Sequence, residues 1–195
     1  MTDVKRPSRD EAEEAVRTLL RWMGEDDQRK GLLRTPTRVL SCYDEWFGGY
    51  KLDPREILGT SFPEAEGYND IVVLKDIDFE SHCEHHIAPF IGKAHIAYLP
   101  SDRVVGVSKL VKVVQALSKR LQVQEKLTQQ IADCVNDVLK PRGVAVILEA
   151  QHECMTTRGV YKKDIKMVTN AMHGAFADDP VIRAELMGLV YGNKT

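Results

Sequence analysis

Residues 144–154, VAVILEAQHEC, alternate as a strand with one core-facing side must. One face reads Val144, Val146, Leu148, Ala150, His152, Cys154; the other reads Ala145, Ile147, Glu149, Gln151, Glu153. The apolar face therefore runs into a nitrogen and a sulfur donor at one strand end. Taken alone, such a pair reads as a buried cysteine beside a satisfied core histidine.

A second cluster shifts that balance. ESHCEHHIAPF, residues 80–90, holds His82, Cys83, His85 and His86. Cys83 and His86 are three apart, and one face of a flat strand cannot present both, so the spacing predicts a turn or short helical loop at a strand end. Cys-x-x-His with a distant His-x-Cys offers borderline-soft N and S donors in a number suited to zinc. The two segments hold six candidate donors: His82, Cys83, His85, His86, His152 and Cys154. A structural zinc site closes with four ligands, whereas a catalytic site uses three and keeps one position open. Surplus histidine beside a metal can carry protons, which favours the catalytic reading. Spacing alone does not choose the three ligands. A zinc nucleobase deaminase fits less well: HCE at 82–84 satisfies H-x-E, but neither Cys134 nor Cys154 has the cysteine three residues away that the motif requires.

The rest of the pattern predicts an α+β fold with a largely antiparallel sheet, ordered ββααββ. DIVVLKDIDF and IGKAHIAYL are β-rich and flank the first cluster. Two helices follow, with stripes at Leu110, Val113, Val114, Leu117, Leu121 and at Val123, Leu127, Ile131, Cys134, Val135, Val138. Strands are expected over 144–154 and within DIKMVTNAMHGAF, then a terminal helix from an acidic cap in DDPVIRAELMGLV. Ahead of the sheet, Ser8 and Glu11 form a capping-box pattern and Thr35-Pro36 opens a second helix. Residues 51–68 read as irregular. The expected division is a helical extension over 1–68 and a catalytic domain over 69–195.

A net charge of -2 over 195 residues argues against nucleic acid as the main partner. No apolar run reaches membrane-spanning length, and the first residues carry no apolar signal core, so no membrane partner and a cytoplasmic location are expected. Anion binding must then come from local placement. Ser108, Lys109 and Lys112 stand at a helix start, where free N–H groups and the dipole favour phosphate, although a solvated basic face explains them as well. Arg158 follows Cys154 closely. Gln124 and Glu125 open the next helix, where a carboxylate is an ordinary dipole partner; an amide and a carboxylate can also read an N–H-rich edge such as that of guanine.

Taken together, CEHHIAPFIGKAHIAYLP, VVGVSKLVKVVQALSKRLQVQEKLTQQIA and EAQHECMTTRGV closely resemble the GTP cyclohydrolase I family over roughly residues 30–190. The resemblance implies the tunnelling fold, a toroidal homodecamer with active sites between subunits, and Zn2+ as cofactor. It implies GTP as substrate, opened at C8 of its imidazole ring to give formate and 7,8-dihydroneopterin triphosphate for folate or tetrahydrobiopterin synthesis. By motif, Cys83, His86 and Cys154 match the zinc ligands and His85 and His152 the acid–base pair. Gln124 and Glu125 match guanine-reading positions. Ser108, Lys109 and Arg158 match ribose and triphosphate positions, and Arg38 matches an arginine that reaches a neighbouring subunit. Lys112 stands where the family usually has arginine, keeping charge without the bidentate fork. Ser41, where some bacterial members carry lysine, and His82 receive no role. A sister enzyme acting on a pterin or deazaguanine is disfavoured by VSK, QVQE and the donor set.

Overall fold

A computed structural model describes residues 5–59, 70–101 and 103–192. The chain divides into two compact units, Met1–Gly48 and Gly49–Thr195.

The first unit holds α1 (Arg9–Trp22) and α2 (Thr35–Trp46). Ser8 caps α1 through the expected box: its side chain accepts from Glu11 N–H while the Glu11 carboxylate accepts from Ser8 N–H. Such a cap stabilises a helix by about 1 kcal/mol. Gly24, at φ +91°, ends the segment in the left-handed region. α2 starts at Thr35 itself, with Arg34 at the N-cap position and no side-chain cap, one residue earlier than the sequence suggests.

The second unit is built on a five-stranded sheet. In chain order it comprises a 3-10 turn (Gly48–Lys51, entered from the first unit), α3 (Pro54–Leu58), β1 (Val72–Cys83), β2 (Pro89–Leu99), α4 (Val107–Ser118), β3 (Leu121–Gln122) and α5 (Gln124–Leu139). Then follow β4 (Gly143–His152), α6 (Glu153–Thr156), β5 (Met167–Gly174), α7 (Ala175–Asp178) and α8 (Pro180–Tyr191). The spatial order is β3-β1-β2-β4-β5, antiparallel except where β3 joins β1. The ββααββ reading holds. The stretch read as irregular instead begins with the 3-10 turn and α3, capped by Asp53, and Leu58 is fully buried in the main core; the remainder of that stretch, from 60, lies outside the described residues.

The sheet has a helical layer on each face. α4 and α5 bury Leu110, Val113, Val114, Leu127, Ile131 and Val135 against the even-numbered side of β2 and β4, including Phe90, Ala94, Ile96, Val144, Val146 and Leu148. On the other face α7 and α8 bury Phe176, Leu186 and Val190 with Ala97, Leu99 and Ala145. Among the described residues no helix is long and apolar enough to cross a membrane.

Two features fix the sheet's register. Between Leu74 and Ile77 the β1–β2 pairing shifts by a bulge, where Asp76 takes φ +60°. At Gly92 the backbones of β2 and β4 come so close that a Cβ would meet Glu149 O and lie 2.7 Å from Ala150 Cα. Both set how β2 aligns its neighbours, and β2 separates the two donor segments.

Candidate metal centre and its cavity

β1 ends at Cys83, and a tight turn leads back into β2. Cys83 N–H donates to Ala88 O, Ile87 N–H donates to Cys83 O, and Ile87 adopts φ +53°. This is the turn the Cys-x-x-His spacing predicts, and it swings His86 back over Cys83: His86 Nδ1 is 3.9 Å from Cys83 Sγ. On the far side of β2, β4 stops at His152, which pairs with Phe90. Here the sequence reading needs correction. Cys154 does not continue the strand; it lies on the single helical turn α6. The helical turn still brings its sulfur in, because donor atoms of Cys83, His86 and Cys154 all lie within 4.8 Å of one another. Among the described residues these three form the grouping able to hold a metal ion.

The donor chemistry fits a divalent cation of borderline softness. Cys83 is buried and Cys154 half-buried; burial first, then the adjacent Cys83 sulfur, pushes the Cys154 thiol above its ordinary pKa. A cation held beside the Cys154 sulfur would offset that cost and favour the thiolate. All four cysteines are free thiols, with Cys42 exposed and Cys134 in the core, its thiol pushed up to about 11 by burial.

A cavity of about 190 Å3 opens beside the donors, lined by Cys83, His85, Gln122, Val123, Gln124, Glu125, His152, Cys154 and Met167. The start of α5 thus forms one wall and the two donor segments form the other. His85 is exposed at the turn. His152 stacks flat on Phe90, with ring centroids 4.6 Å apart and planes 3° from parallel. Burial lowers the pKa of His152, partly offset by Glu125. His152 Nε2 lies 2.7 Å from Gln124 Oε1.

The remaining expected site residues are more dispersed. Arg158 donates to His86 Nε2 at 2.8 Å. Ser108, Lys109 and Lys112 lie on the first turns of α4 and do not line the cavity. Arg38 is exposed on α2 of the other unit. His82, the leftover donor, is buried on β1, opposite Pro89 on β2 and Leu121 on β3. Sequence reasoning missed Phe90, Gln122 and Met167. Phe90 shares the even-numbered face of β2 with the core, a signal that could have placed it beside His152; Gln122 and Met167 give no such signal.

This arrangement has close relatives. The GTP cyclohydrolase I family model matches residues 12–191. The chain belongs to the GTP cyclohydrolase I family. It is 52% identical over 185 residues to GTP cyclohydrolase 1 of Maricaulis maris (strain MCS10), covering 95% of this chain and 90% of that protein. To GTP cyclohydrolase 1 of Hyphomonas neptunium (strain ATCC 15444) it is 53% identical over 186 residues, with the same coverage. Among solved structures, the apo form of the archaeosine synthase QueF-Like aligns with a TM-score of 0.42 and 18% identity over 53% of this chain and 93% of that one. Membership in the GTP cyclohydrolase I family makes the chain a hydrolase, and its curled α+β sheet is that family's tunnelling fold.

Proposed function

We propose that the chain is a zinc-dependent GTP cyclohydrolase I, opening the guanine imidazole ring of GTP and releasing C8 as formate to leave 7,8-dihydroneopterin triphosphate. The observation that carries this reading is a cluster, among the described residues, of three protein donors rather than four, beside a cavity with two further histidines. A closed structural site would have a fourth donor and no use for the cavity.

Cys83, His86 and Cys154 would hold the zinc. A zinc ion with an open position supplies Lewis acidity and brings a water's pKa toward neutrality. The chain's own groups do the rest. His85 and His152 line the cavity and move protons, with His85 serving N7 of the ring and His152 the hydrolytic and later transfers. Glu125 accepts from the N–H groups of the guanine edge. Gln122 Oε1, buried and without a hydrogen-bond partner among the described residues, is a second acceptor in the same wall.

The cavity is smaller than the roughly 300–1,000 Å3 typical of sites that enclose a whole ligand. It suits the reacting base, and the ribose and triphosphate fall to Ser108, Lys109, Lys112, Arg158 and, from a neighbouring copy, Arg38. A toroidal homodecamer supplies that neighbour; Ile91 and Val168, each 55% exposed, leave apolar surface on the sheet for contacts between copies. Every cavity residue falls within 69–195, the part we assign as the catalytic domain, with 1–68 as a helical extension. The free thiols suit a reducing cytoplasm, and folate or tetrahydrobiopterin synthesis would consume the product.

Incubating the zinc-replete protein with GTP and following formate and pterin fluorescence, with and without a chelator, tests this. We expect both products and their loss on chelation. GTP left unchanged would sink the reading.

A further inference from the structure

The amide of Gln124 is in the wrong place to read a base. Although it begins α5 beside the exposed Glu125, its side chain turns inward, and the residue is 1% exposed. Gln124 Nε2 lies within donating distance of three acceptors: Leu148 O at 3.2 Å, Met167 O at 3.0 Å and Thr169 Oγ1 at 3.1 Å. Two of these are backbone carbonyls, which can only accept. The NH2 end must therefore face them, and the amide cannot be flipped. Its oxygen then faces His152 Nε2, 2.7 Å away. An amide oxygen only accepts, so the imidazole proton belongs on Nε2.

The orientation is locked a second time. Thr128 Oγ1 donates to Gln124 O at 2.7 Å, so the hydroxyl contact between Thr169 and Thr128, 2.6 Å long, has Thr169 as donor. The Thr169 oxygen is then left to accept from Gln124. Each hydroxyl proton in this buried ring then has one place to go. The stack on Phe90 fixes the imidazole plane.

We infer that Gln124 is a positioning residue for His152, holding it as the Nε2–H tautomer with the Nδ1 lone pair left for the reaction, and that it takes no part in guanine recognition. Glu125 alone of this pair then meets the base. This rests on the cyclohydrolase reading only for the use made of His152; the tautomer itself does not depend on it.

The test has two arms. In the first, 15N magic-angle-spinning NMR of the histidine-labelled, zinc-loaded wild type is compared with a His152→Asn sample to assign the ring. We expect the proton on Nε2; a proton on Nδ1 overturns the inference even if Gln124→Met misfolds. In the second, Gln124→Met is assayed with GTP and with inosine triphosphate, which lacks the 2-amino group. We expect kcat to fall about 10- to 100-fold, the scale for loss of an orienting partner, with KM for GTP within twofold of wild type. The preference for GTP over inosine triphosphate should persist in Gln124→Met and collapse in Glu125→Ala. A large rise in KM with kcat retained, or loss of the preference in Gln124→Met, would return Gln124 to base reading. If the wild type leaves GTP intact, the cyclohydrolase reading fails while the tautomer arm still decides the role of Gln124.

Discussion

His95 and His152 lie on neighbouring strands, and burial lowers the pKa of both, yet only His152 lines the cavity beside the metal donors. His95, on the odd-numbered side of β2, is 6% exposed and enclosed by the layer beneath α8. Its Nδ1 accepts from Asp76 N–H at 3.2 Å, an amide that the β1 bulge leaves out of the ladder. Its Nε2 faces Glu149 Oε1 at 3.9 Å, and its ring lies 6.2 Å from Tyr191. Burial and a hydrogen bond to Glu149 in turn push the Tyr191 hydroxyl well above the usual tyrosine pKa. Both nitrogens of His95 therefore face protein groups. His152, on the opposite face, has one nitrogen bound to Gln124 and its ring on a cavity wall. Burial alone does not separate the two: His152 lines the cavity and meets Gln124 through Nε2, whereas His95 turns both nitrogens to protein groups.

Substitutions can break this contrast. The largest effect is expected at the metal donors: Cys154→Ser should lower bound zinc, measured by elemental analysis, and formate release by at least about 100-fold, while circular dichroism stays native. His152→Ala should lower formate release on the order of 10²–10⁴-fold with zinc content retained. Normal formate release from that variant would remove its hydrolytic role. His95→Gln should do the reverse, costing about 1–3 kcal/mol in denaturant unfolding while zinc content and turnover stay near wild type. A catalytic defect in His95→Gln larger than its stability loss explains would erase the distinction. Tyr191→Phe should have the smallest effect, ~1 kcal/mol or less.

The pH dependence sharpens the same contrast. His95 is held neutral by burial, opposed by Asp76 and Glu149 and reinforced by Lys75 and Lys93. Its folded pKa lies below the unfolded value of about 6.5. Between the two values the unfolded chain binds more protons, so stability is full above about pH 6.5 and is lost as pH falls through that window. His95→Gln should flatten this slope. His82 and His152, also lowered by burial, keep it from vanishing. An unchanged slope would show that His95 is not held neutral by the fold.

Much of this was legible in the chain. Alternation along β4 gave its core face correctly through Ala150, the Ser8 box gave the start of α1, and Asp179 caps α8 as the acidic run suggested, accepting from Val181 and Ile182 N–H. Cys-x-x-His implied a turn, and a turn is there. What failed shares a cause. The strand's end at His152, the burial of Gln124 and the bulge that calls on His95 are settled by atoms distant in sequence, so period and propensity carry no trace of them. A glutamine beginning a helix reads as solvated until Leu148, Met167 and Thr169 are found behind it. Pro54 and Glu56 read as loop, yet Leu58, buried where α3 packs on α4 and α5, makes that turn part of the core.

β2 joins the two donor segments, since His82 pairs with Pro89 and His152 with the next residue, Phe90. Two of the three donors, Cys83 and His86, already meet in the hairpin turn, and the third, Cys154, arrives only when the β2–β4 ladder, between strands distant in sequence, has closed in the correct register. A one-residue slip there would turn His152 to the opposite face. During refolding from denaturant, capture of zinc should follow the slowest β pairing, and a chromophoric chelator competing for the ion would time the closure of the sheet.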